Sequence, residues 1–200
     1  MQRFVWHADT AAHTAVEIAT LLKGGAIGVL PTETVYGLVC AHGHETALSR
    51  LYAAKGRGHD QKCQILIGTP ADAEAFSLQA PGPVVAIGEA FWPGPLTLVC
   101  DSAYGTVGLR CPDHSFVQAV IAELGTPLVA TSANPAGVSP TESLAAEFAD
   151  LPGLDFVVRS SQPLTRRAST VAKLHAGELT ILREGAIALN ALQRSLLQHG

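Results

Sequence analysis

The sequence predicts an α/β fold built on a twisted, mixed β-sheet, and three observations lead to this prediction. With 200 residues, of which 48% are hydrophobic and 15% charged, the chain can bury a sizeable core. Short apolar runs typical of strands and longer amphipathic runs typical of helices follow one another irregularly, which favours a mixed sheet over a strictly doubly wound one. No internal repeat, low-complexity tract or convincing linker divides them. We therefore expect residues 1–200 to form a single domain.

Amphipathic spacing and helix-ending residues predict six helices. The first is expected to begin at a cap formed by Asp9 or Thr10 and to stop at Gly24 and Gly25. The others are expected at residues 45–55, 84–90, 115–124, 141–149 and 187–198.

Short apolar or extended runs predict the strands. Residues 26–30 form a continuously apolar run typical of a buried strand, and this strand would end at Pro31. The segment that follows would then lie in a loop at the carboxyl end of the strand, where open α/β sheets commonly bind ligands. Further strands are expected at residues 64–67, 96–100, 106–110, 127–130, 156–158 and 179–182.

Charge and cysteine usage exclude several classes of protein. The formal net charge of −4 argues against a non-specific nucleic-acid coat. No apolar run approaches the roughly 20 residues that a membrane span needs, and the N-terminus lacks the apolar stretch of a secretory signal. Cys40, Cys63, Cys100 and Cys111 have no metal-ligand spacing and are typical of reduced thiols. We therefore expect a cytoplasmic protein without a membrane partner.

Three short segments have features of anion binding. In residues 55–57, two cations flank a glycine at a helix end, so both the cations and the backbone could approach an anion. Residues 131–134 (TSAN) offer small hydroxyl and amide groups after a strand, and residues 169–171 (STV) follow Arg166 and Arg167. On spacing alone each segment also has a plain structural interpretation, as a capped helix terminus, a polar turn and a loop entering a strand.

The cations are concentrated in the motif segments. If these segments converge, an acidic protein would carry one cationic pocket suited to a polyanion such as a nucleotide. The seven cations concerned are Lys55, Arg57, Lys62, Arg110, Arg166, Arg167 and Arg183.

The sequence offers no apparatus for covalent catalysis. It contains no GxSxG elbow, no Walker GxxxxGK[ST] and no HExxH. Glu33, the one acidic residue in PTETVYGL, could orient a metal-bound water or simply cap its loop. Transfer at phosphorus can proceed by positioning and charge stabilisation, with Mg²⁺ bridging the phosphates of the substrate.

Taken in order, eight segments closely resemble the threonylcarbamoyl-AMP synthase family, also called YrdC-like. They span about residues 15–187, which would be the core of a YrdC-like domain. The segments are PTETVYGL (31–38), KGR (55–57), FWPGPLTLV (91–99), TVGLRCPDH (106–114), PLVATSAN (127–134), SPT (139–141), STV (169–171) and ILREG (181–185).

The resemblance implies a mixed sheet flanked by helices around a large concave cleft. It also implies that the chain joins L-threonine, bicarbonate or CO₂, and ATP into threonylcarbamoyl-AMP and pyrophosphate. Mg²⁺ would be held by substrate phosphates and water rather than by protein ligands. The product would serve threonylcarbamoyladenosine modification of tRNA beside the anticodon, completed by separate threonylcarbamoyl-transferring proteins. A direct contact with tRNA is left open.

The resemblance also assigns residue roles. We expect Lys55 and Arg57 to lie at the surface of the cleft. The threonine side would comprise Thr34, Arg110, Ala130 and Ser169. The ATP side would comprise Lys55, Arg57, Gln61, Thr106, Ser132, Asn134, Ser139 and Arg183. The catalytic residues among them would be Lys55, Arg57, Ser132 and Asn134.

This chain departs from the family pattern mainly between residues 58 and 66. Gly58 stands where a proline is usual, Gln61 where an asparagine is common, and Leu66 where the longer members often have a histidine near threonine. Ala136 replaces a serine, and residues 165–168 replace a glycine-rich approach to STV.

Two other interpretations compete with the synthase. A non-catalytic module could bind tRNA or double-stranded RNA in the same cationic cleft, although the chain lacks a basic stripe with stacking aromatics. A carbamoyl-adenylate module of carbamoyltransferases would normally be accompanied by further domains.

Overall fold

The predicted fold class is confirmed: the chain is an α/β protein with one mixed sheet. The computed structural model describes residues 1–7, 11–56, 58, 62–134, 151–161, 164–165 and 167–199. Within these residues, ten strands form a single sheet in the order β1-β8-β2-β3-β7-β4-β6-β5-β9-β10. The sheet contains parallel pairs such as β4–β6 and β5–β9 and antiparallel pairs such as β3–β7 and β5–β6.

The elements follow the predicted order with three additional strands. The strands are β1 (Gln2–Trp6), β2 (Gly28–Leu30), β3 (Gly37–Ala41), β4 (Gln64–Leu66), β5 (Leu96–Ser102), β6 (Gly105–Arg110), β7 (Leu128–Ser132), β8 (Phe156–Ser160), β9 (Thr170–His175) and β10 (Glu178–Arg183). The helices are α1 (Ala11–Lys23), α2 (Glu45–Lys55), α3 (Pro81–Phe91), α4 (Ser115–Leu124) and α5 (Leu189–His199), with a 3-10 helix at Pro70–Phe76.

Some predictions need correction or fall outside the described residues. The sequence-based assignment missed β1, a largely exposed edge strand, and β9, which alternates buried and half-buried residues after a polar segment. It also missed β3, which begins at Gly37 inside the PTETVYGL motif and whose five residues are all buried. The predicted helix at residues 141–149 and the predicted cap at Asp9 or Thr10 lie outside the described residues.

The two faces of the sheet are covered unequally. One face packs against α2, α3 and α5 through residues such as Leu98 and Leu109. The other face packs against α1 and α4 through a second apolar cluster. This cluster involves only the first six strands of the sheet order, from β1 at the edge to β4. Side chains alternate between the faces of a strand, so Thr97, Gly108 and Arg110 lie on the second face, beyond that cluster. The partly uncovered half of this face becomes the floor of a cavity.

None of the described helices combines the length and the apolar character that crossing a membrane requires.

The stability of the fold should depend on the protonation of His114, which lies beside the start of α4 and packs on Trp6 with ring centroids 4.8 Å apart. Burial lowers the pKa of His114 below its ordinary value of 6.5, although Glu33 and Asp113 act in the opposite direction. The unfolded chain therefore binds more protons, and the stabilisation present above about pH 6.5 is lost as the pH falls towards the lowered folded-state pKa.

We expect the free energy of unfolding to fall between about pH 7 and pH 5, and to fall less in His114→Phe, which keeps a ring against Trp6. Urea titrations at a series of pH values measure both slopes. His114→Phe should retain part of the pH dependence of the free energy of unfolding, because burial also lowers the pKa of His42. Identical pH dependence in the two proteins would contradict this role of His114.

Candidate active site

A hydroxyl-fixed turn follows β2. The Thr32 hydroxyl oxygen accepts hydrogen bonds from the backbone N–H groups of Thr34 and Val35, each at 3.2 Å, and donates one to the Val35 carbonyl at 2.6 Å. Pro31 has no N–H to donate to a neighbouring strand, so β2 cannot continue through it. The hydrogen bonds of the Thr32 hydroxyl take the place of interstrand bonds for the backbone of the turn. The loop predicted for residues 32–34 is therefore confirmed, and it extends over residues 31–36. It is the loop of an antiparallel β2–β3 hairpin rather than a crossover.

The turn directs Glu33 and Thr34 onto Arg110, the last residue of β6. The Nη2 atom of Arg110 donates to the Glu33 carboxylate at 2.6 Å and to the Thr34 hydroxyl at 2.8 Å. Arg110 is only 2% exposed, yet its Nε atom and the second carboxylate oxygen of Glu33 have no hydrogen-bond partner among the described residues. An unpaired buried donor is costly, so the guanidinium retains capacity for a ligand oxygen.

Arg110 lines a cavity of about 260 Å³ on the uncovered half of the sheet. This volume lies just below the roughly 300–1,000 Å³ of typical small-molecule sites, so it suits an amino acid better than a whole nucleotide. The lining residues are Thr32, Val35, Tyr36, Gly37, Lys62, Cys63, Gln64, Leu66, Thr97, Val99, Thr106, Gly108, Arg110, Ala130, Thr131, Ser132, Ala168, Ser169, Val171 and Arg183.

A chain of hydrogen bonds crosses the cavity floor. Nη2 of Arg183 donates to the Ser169 hydroxyl at 2.9 Å, and that hydroxyl lies 3.2 Å from the Thr97 hydroxyl. The Thr97 hydroxyl in turn donates to the side-chain carbonyl of Gln64 at 2.7 Å. Four residues from β4, β5, the entry to β9 and β10 are thereby held in one network.

Gly185 allows this network to form by letting the chain after β10 approach the entry to β9. A Cβ atom at Gly185 would lie 2.3 Å from the Thr170 nitrogen and 2.4 Å from the Ser169 carbonyl carbon, which no other residue could tolerate without a backbone shift. The close approach lets Arg183 donate to the Ser169 carbonyl from Nε at 3.2 Å and from Nη2 at 2.9 Å. The ILREG and STV segments therefore form one local structure.

The cavity has a cationic character. Burial, and then the nearby Arg110 charge, lower the pKa of Arg183, so two guanidinium groups lie close together here. Glu33 balances Arg110, whereas the hydrogen bonds of Arg183 within the described residues go only to Ser169. At the rim, the Lys62 ammonium donates to the Thr106 carbonyl at 2.8 Å. This arrangement favours an anionic ligand.

Lys55 does not lie at the cleft surface, and that expectation was wrong. It is 3% exposed and absent from the cavity lining. Its ammonium donates to the carbonyl oxygens of Ser132, at 2.6 Å, and Asn134. α2 ends at Lys55, with Gly56 in a left-handed conformation, φ 62°, and the side chain is directed to the end of β7. Lys55 therefore fixes the TSAN backbone.

The cavity unites six of the twelve predicted site residues and excludes others. The lining includes Thr106, Arg110, Ala130, Ser132, Ser169 and Arg183. Thr34 is buried behind Arg110, and Asn134 is buried beyond the lining. The predicted residues Arg57, Gln61 and Ser139 lie outside the described residues, as do Arg166 and Ala136. Ser132 lies within β7, not after it, and Arg167 is exposed and outside the lining.

Sequence reasoning missed two polar residues of the floor, Gln64 and Thr97. A signal was present, because the apolar strand neighbours of each residue pack in the core on the other face of the sheet. Strand alternation therefore directs the side chains of Gln64 and Thr97 to the cavity face. In β5, Leu96 and Leu98 are buried in the core on the α3 side of the sheet, and Thr97 is not part of that core. This alternation would have indicated that Thr97 faces the cavity.

A second, larger groove of about 1,030 Å³ lies between the 3-10 helix and α4. Its lining is mainly apolar, and Thr106 is the one predicted site residue that it includes among those described. The 260 Å³ cavity is the better candidate site, because it contains the buried guanidinium of Arg110 together with that of Arg183.

Replacing Lys55 by Met should destabilise the protein, because it leaves the Ser132 and Asn134 carbonyl groups without the ammonium donor. We expect a loss of about 1–3 kcal/mol in the free energy of unfolding. Lys62→Met is the matched control, since Lys62 is exposed, and it should change stability by less than about 0.5 kcal/mol. Urea denaturation measures both values, and wild-type stability in Lys55→Met would show that the predicted surface position was right after all.

Comparison with known proteins identifies the family of this chain. The profile of the family Sua5/YciO/YrdC, described as telomere recombination, matches residues 20–185. A Mus musculus protein named threonylcarbamoyl-AMP synthase is 33% identical over 196 residues, covering 88% of this chain and 68% of that protein. The crystal structure of P. abyssi Sua5 complexed with L-threonine is similar with a TM-score of 0.86 at 26% identity, covering 97% of this chain and 60% of that chain.

The structure of E. coli YciO matches with a TM-score of 0.84 over 96% of this chain and 98% of that chain, and at 20% identity it shows the fold alone. Profile, sequence and fold therefore agree over most of the chain. The chain belongs to the Sua5/YciO/YrdC family.

Proposed function

We propose that this chain is an L-threonylcarbamoyladenylate synthase, which converts L-threonine, bicarbonate and ATP into threonylcarbamoyl-AMP and pyrophosphate. The observation that carries the proposal is the buried Arg110 guanidinium, which has an unpaired Nε atom and lines a cavity of amino-acid size. The names of relatives such as the mouse protein favour a synthase over a non-catalytic RNA-binding module.

In this proposal, the amino acid occupies the cavity with its carboxylate on Arg110. Charge-assisted hydrogen bonds from a guanidinium to a carboxylate are among the strongest that a protein offers. Ser169 and Ala130, which line the same cavity, contact the rest of the amino acid. Thr34 acts through Arg110, because its hydroxyl accepts from the guanidinium rather than facing the cavity.

The nucleotide lies towards the rim of the cavity. Ser132, Thr106 and Arg183 are the described residues that offer it hydroxyl and guanidinium groups. Lys55 contributes by holding the TSAN backbone, with Asn134 in the same segment. We keep Arg57, Gln61 and Ser139 as proposed ATP contacts on the family pattern alone.

The chemistry needs no covalent intermediate with the protein. The threonine amine, after loss of a proton, attacks the carbon of bicarbonate, and the N–C bond forms with release of water to give a carbamate. A carbamate oxygen then attacks the α-phosphorus of ATP, and the bond from that phosphorus to the pyrophosphate oxygen breaks. The guanidinium groups of Arg110 and Arg183 stabilise the anionic charge that both steps involve.

Mg²⁺ enters this proposal with ATP, as part of the substrate. The described cavity offers cations, hydroxyls and amides, and the described residues contain no cluster of three or more His, Cys, Asp or Glu side chains that could hold a metal. Such a donor set suits a metal carried by phosphates and water.

The proposal also concerns the partners and the setting of the reaction. The product would pass to separate threonylcarbamoyl-transferring proteins that modify tRNA, and a direct contact of this chain with tRNA is left open. A cytoplasmic location fits the four cysteines, which are free thiols, because such thiols persist in reducing compartments. Burial raises the pKa of Cys40 and of Cys100 to about 12, so neither is a reactive thiolate.

An omission assay tests the proposed function. The purified chain is incubated with ATP, Mg²⁺, bicarbonate and L-threonine, and pyrophosphate release is measured with each component left out in turn. We expect release to need all the substrates, and mass spectrometry to detect threonylcarbamoyl-AMP. Pyrophosphate release that is independent of threonine would overturn the proposal, as would tight tRNA binding in a gel-shift assay with no synthase activity.

A further inference from the structure

Gln64 presents a hydrogen-bond donor to the cavity that no role assigned so far uses. Its side-chain carbonyl accepts from Thr97 at 2.7 Å. Its amide nitrogen makes no hydrogen bond to a described residue, although Gln64 lines the cavity and is only partly exposed. An amide NH₂ group carries two donor hydrogens. The cavity floor therefore contains an oriented, neutral donor group.

The direction of the hydrogen-bond chain fixes this orientation. A hydroxyl has one proton to donate, and Thr97 gives its proton to Gln64. In the contact between Thr97 and Ser169 at 3.2 Å, Ser169 must therefore be the donor. Ser169 accepts in turn from Arg183. The whole chain runs from the guanidinium towards the carbonyl of Gln64, which leaves the Gln64 amide nitrogen as the end that a ligand can meet.

Strand register places Gln64 at a short distance from Arg110. Gln64 pairs with Gly108 and Leu66 pairs with Arg110 across β4 and β6. The two pairs are a two-residue step apart, about 6.6 Å, and all four side-chain positions face the cavity. The apolar side chains of Leu66 and Ala130 line the wall nearby. A small amino acid held by its carboxylate on Arg110 can thus present its side chain to Gln64.

We propose that Gln64 is a specificity-determining residue, whose amide NH₂ donates a hydrogen bond to the side-chain hydroxyl oxygen of L-threonine. The guanidinium groups serve the charged oxygens of the substrate, whereas a neutral amide matches a neutral hydroxyl. Leu66 and Ala130 provide an apolar surface for the threonine methyl group. This inference rests on the proposed synthase function and adds the group that distinguishes threonine from amino acids of the same shape that lack the hydroxyl.

The test compares L-threonine with L-2-aminobutyrate, which keeps the methyl group and lacks the hydroxyl. Pyrophosphate release gives kcat/KM for each amino acid with the wild-type chain, Gln64→Leu and Gln64→Met. Both variants keep the approximate shape of the side chain and remove the NH₂ donor. We expect kcat/KM for threonine to fall about tenfold in each variant, the worth of one neutral hydrogen bond, and that for 2-aminobutyrate to change less than about twofold.

The outcomes separate this inference from the proposed function. An equal loss for both amino acids, or no loss for threonine, overturns the role of Gln64 and leaves the synthase in place. A wild-type chain that releases no threonine-dependent pyrophosphate overturns both. Gln64→Met guards against misfolding of the leucine variant, because its flexible side chain fills the same space and its sulfur is a weak acceptor for the Thr97 hydroxyl. Circular dichroism and thermal unfolding confirm that the variants that are compared are folded.

Discussion

The buried ion pair between Arg110 and Glu33 is the interaction on which the candidate site depends. It joins the turn after β2 to the end of β6, elements that are separated in the sheet by β3, β7 and β4. Because both partners are largely buried, loss of either one would leave a charge without compensation, at a cost of about 3–5 kcal/mol. The pair therefore fixes the guanidinium in the cavity wall while leaving its Nε atom available to a ligand.

The rest of the site follows from how helices cover the sheet. α1 and α4 pack on one end of a face, and the strands beyond them carry hydroxyl, amide and guanidinium groups where a covered sheet would carry apolar side chains. Gly185 and Lys55 then fix the STV and TSAN segments, which lie at the border of the cavity. Gly185 permits the contact between Arg183 and Ser169, and Lys55 holds the carbonyl groups of the TSAN segment.

The sequence was a good guide wherever local chemistry decides the structure. α2 and α4 have the predicted bounds, because capping and helical periodicity act within a few residues. It was a poor guide where distant segments decide. The burial of Lys55 depends on carbonyl groups 77 and 79 residues further along the chain, and a cation at a helix end gives no sign of such partners. Strand alternation indicates that Gln64 and Thr97 face away from the α3-side core, but not that they are hydrogen-bonded to each other across 33 residues of sequence.

In the proposed complex, Arg110 receives the carboxylate of the amino-acid substrate. A crystal structure of the wild-type chain with L-threonine would show this contact without a substitution that disturbs the buried pair with Glu33. We expect one threonine in the 260 Å³ cavity, with a carboxylate oxygen at about 2.7–2.9 Å from a nitrogen of Arg110. Threonine bound in the larger groove beside α4, or in the cavity with its carboxylate away from Arg110, would rule out this role of Arg110.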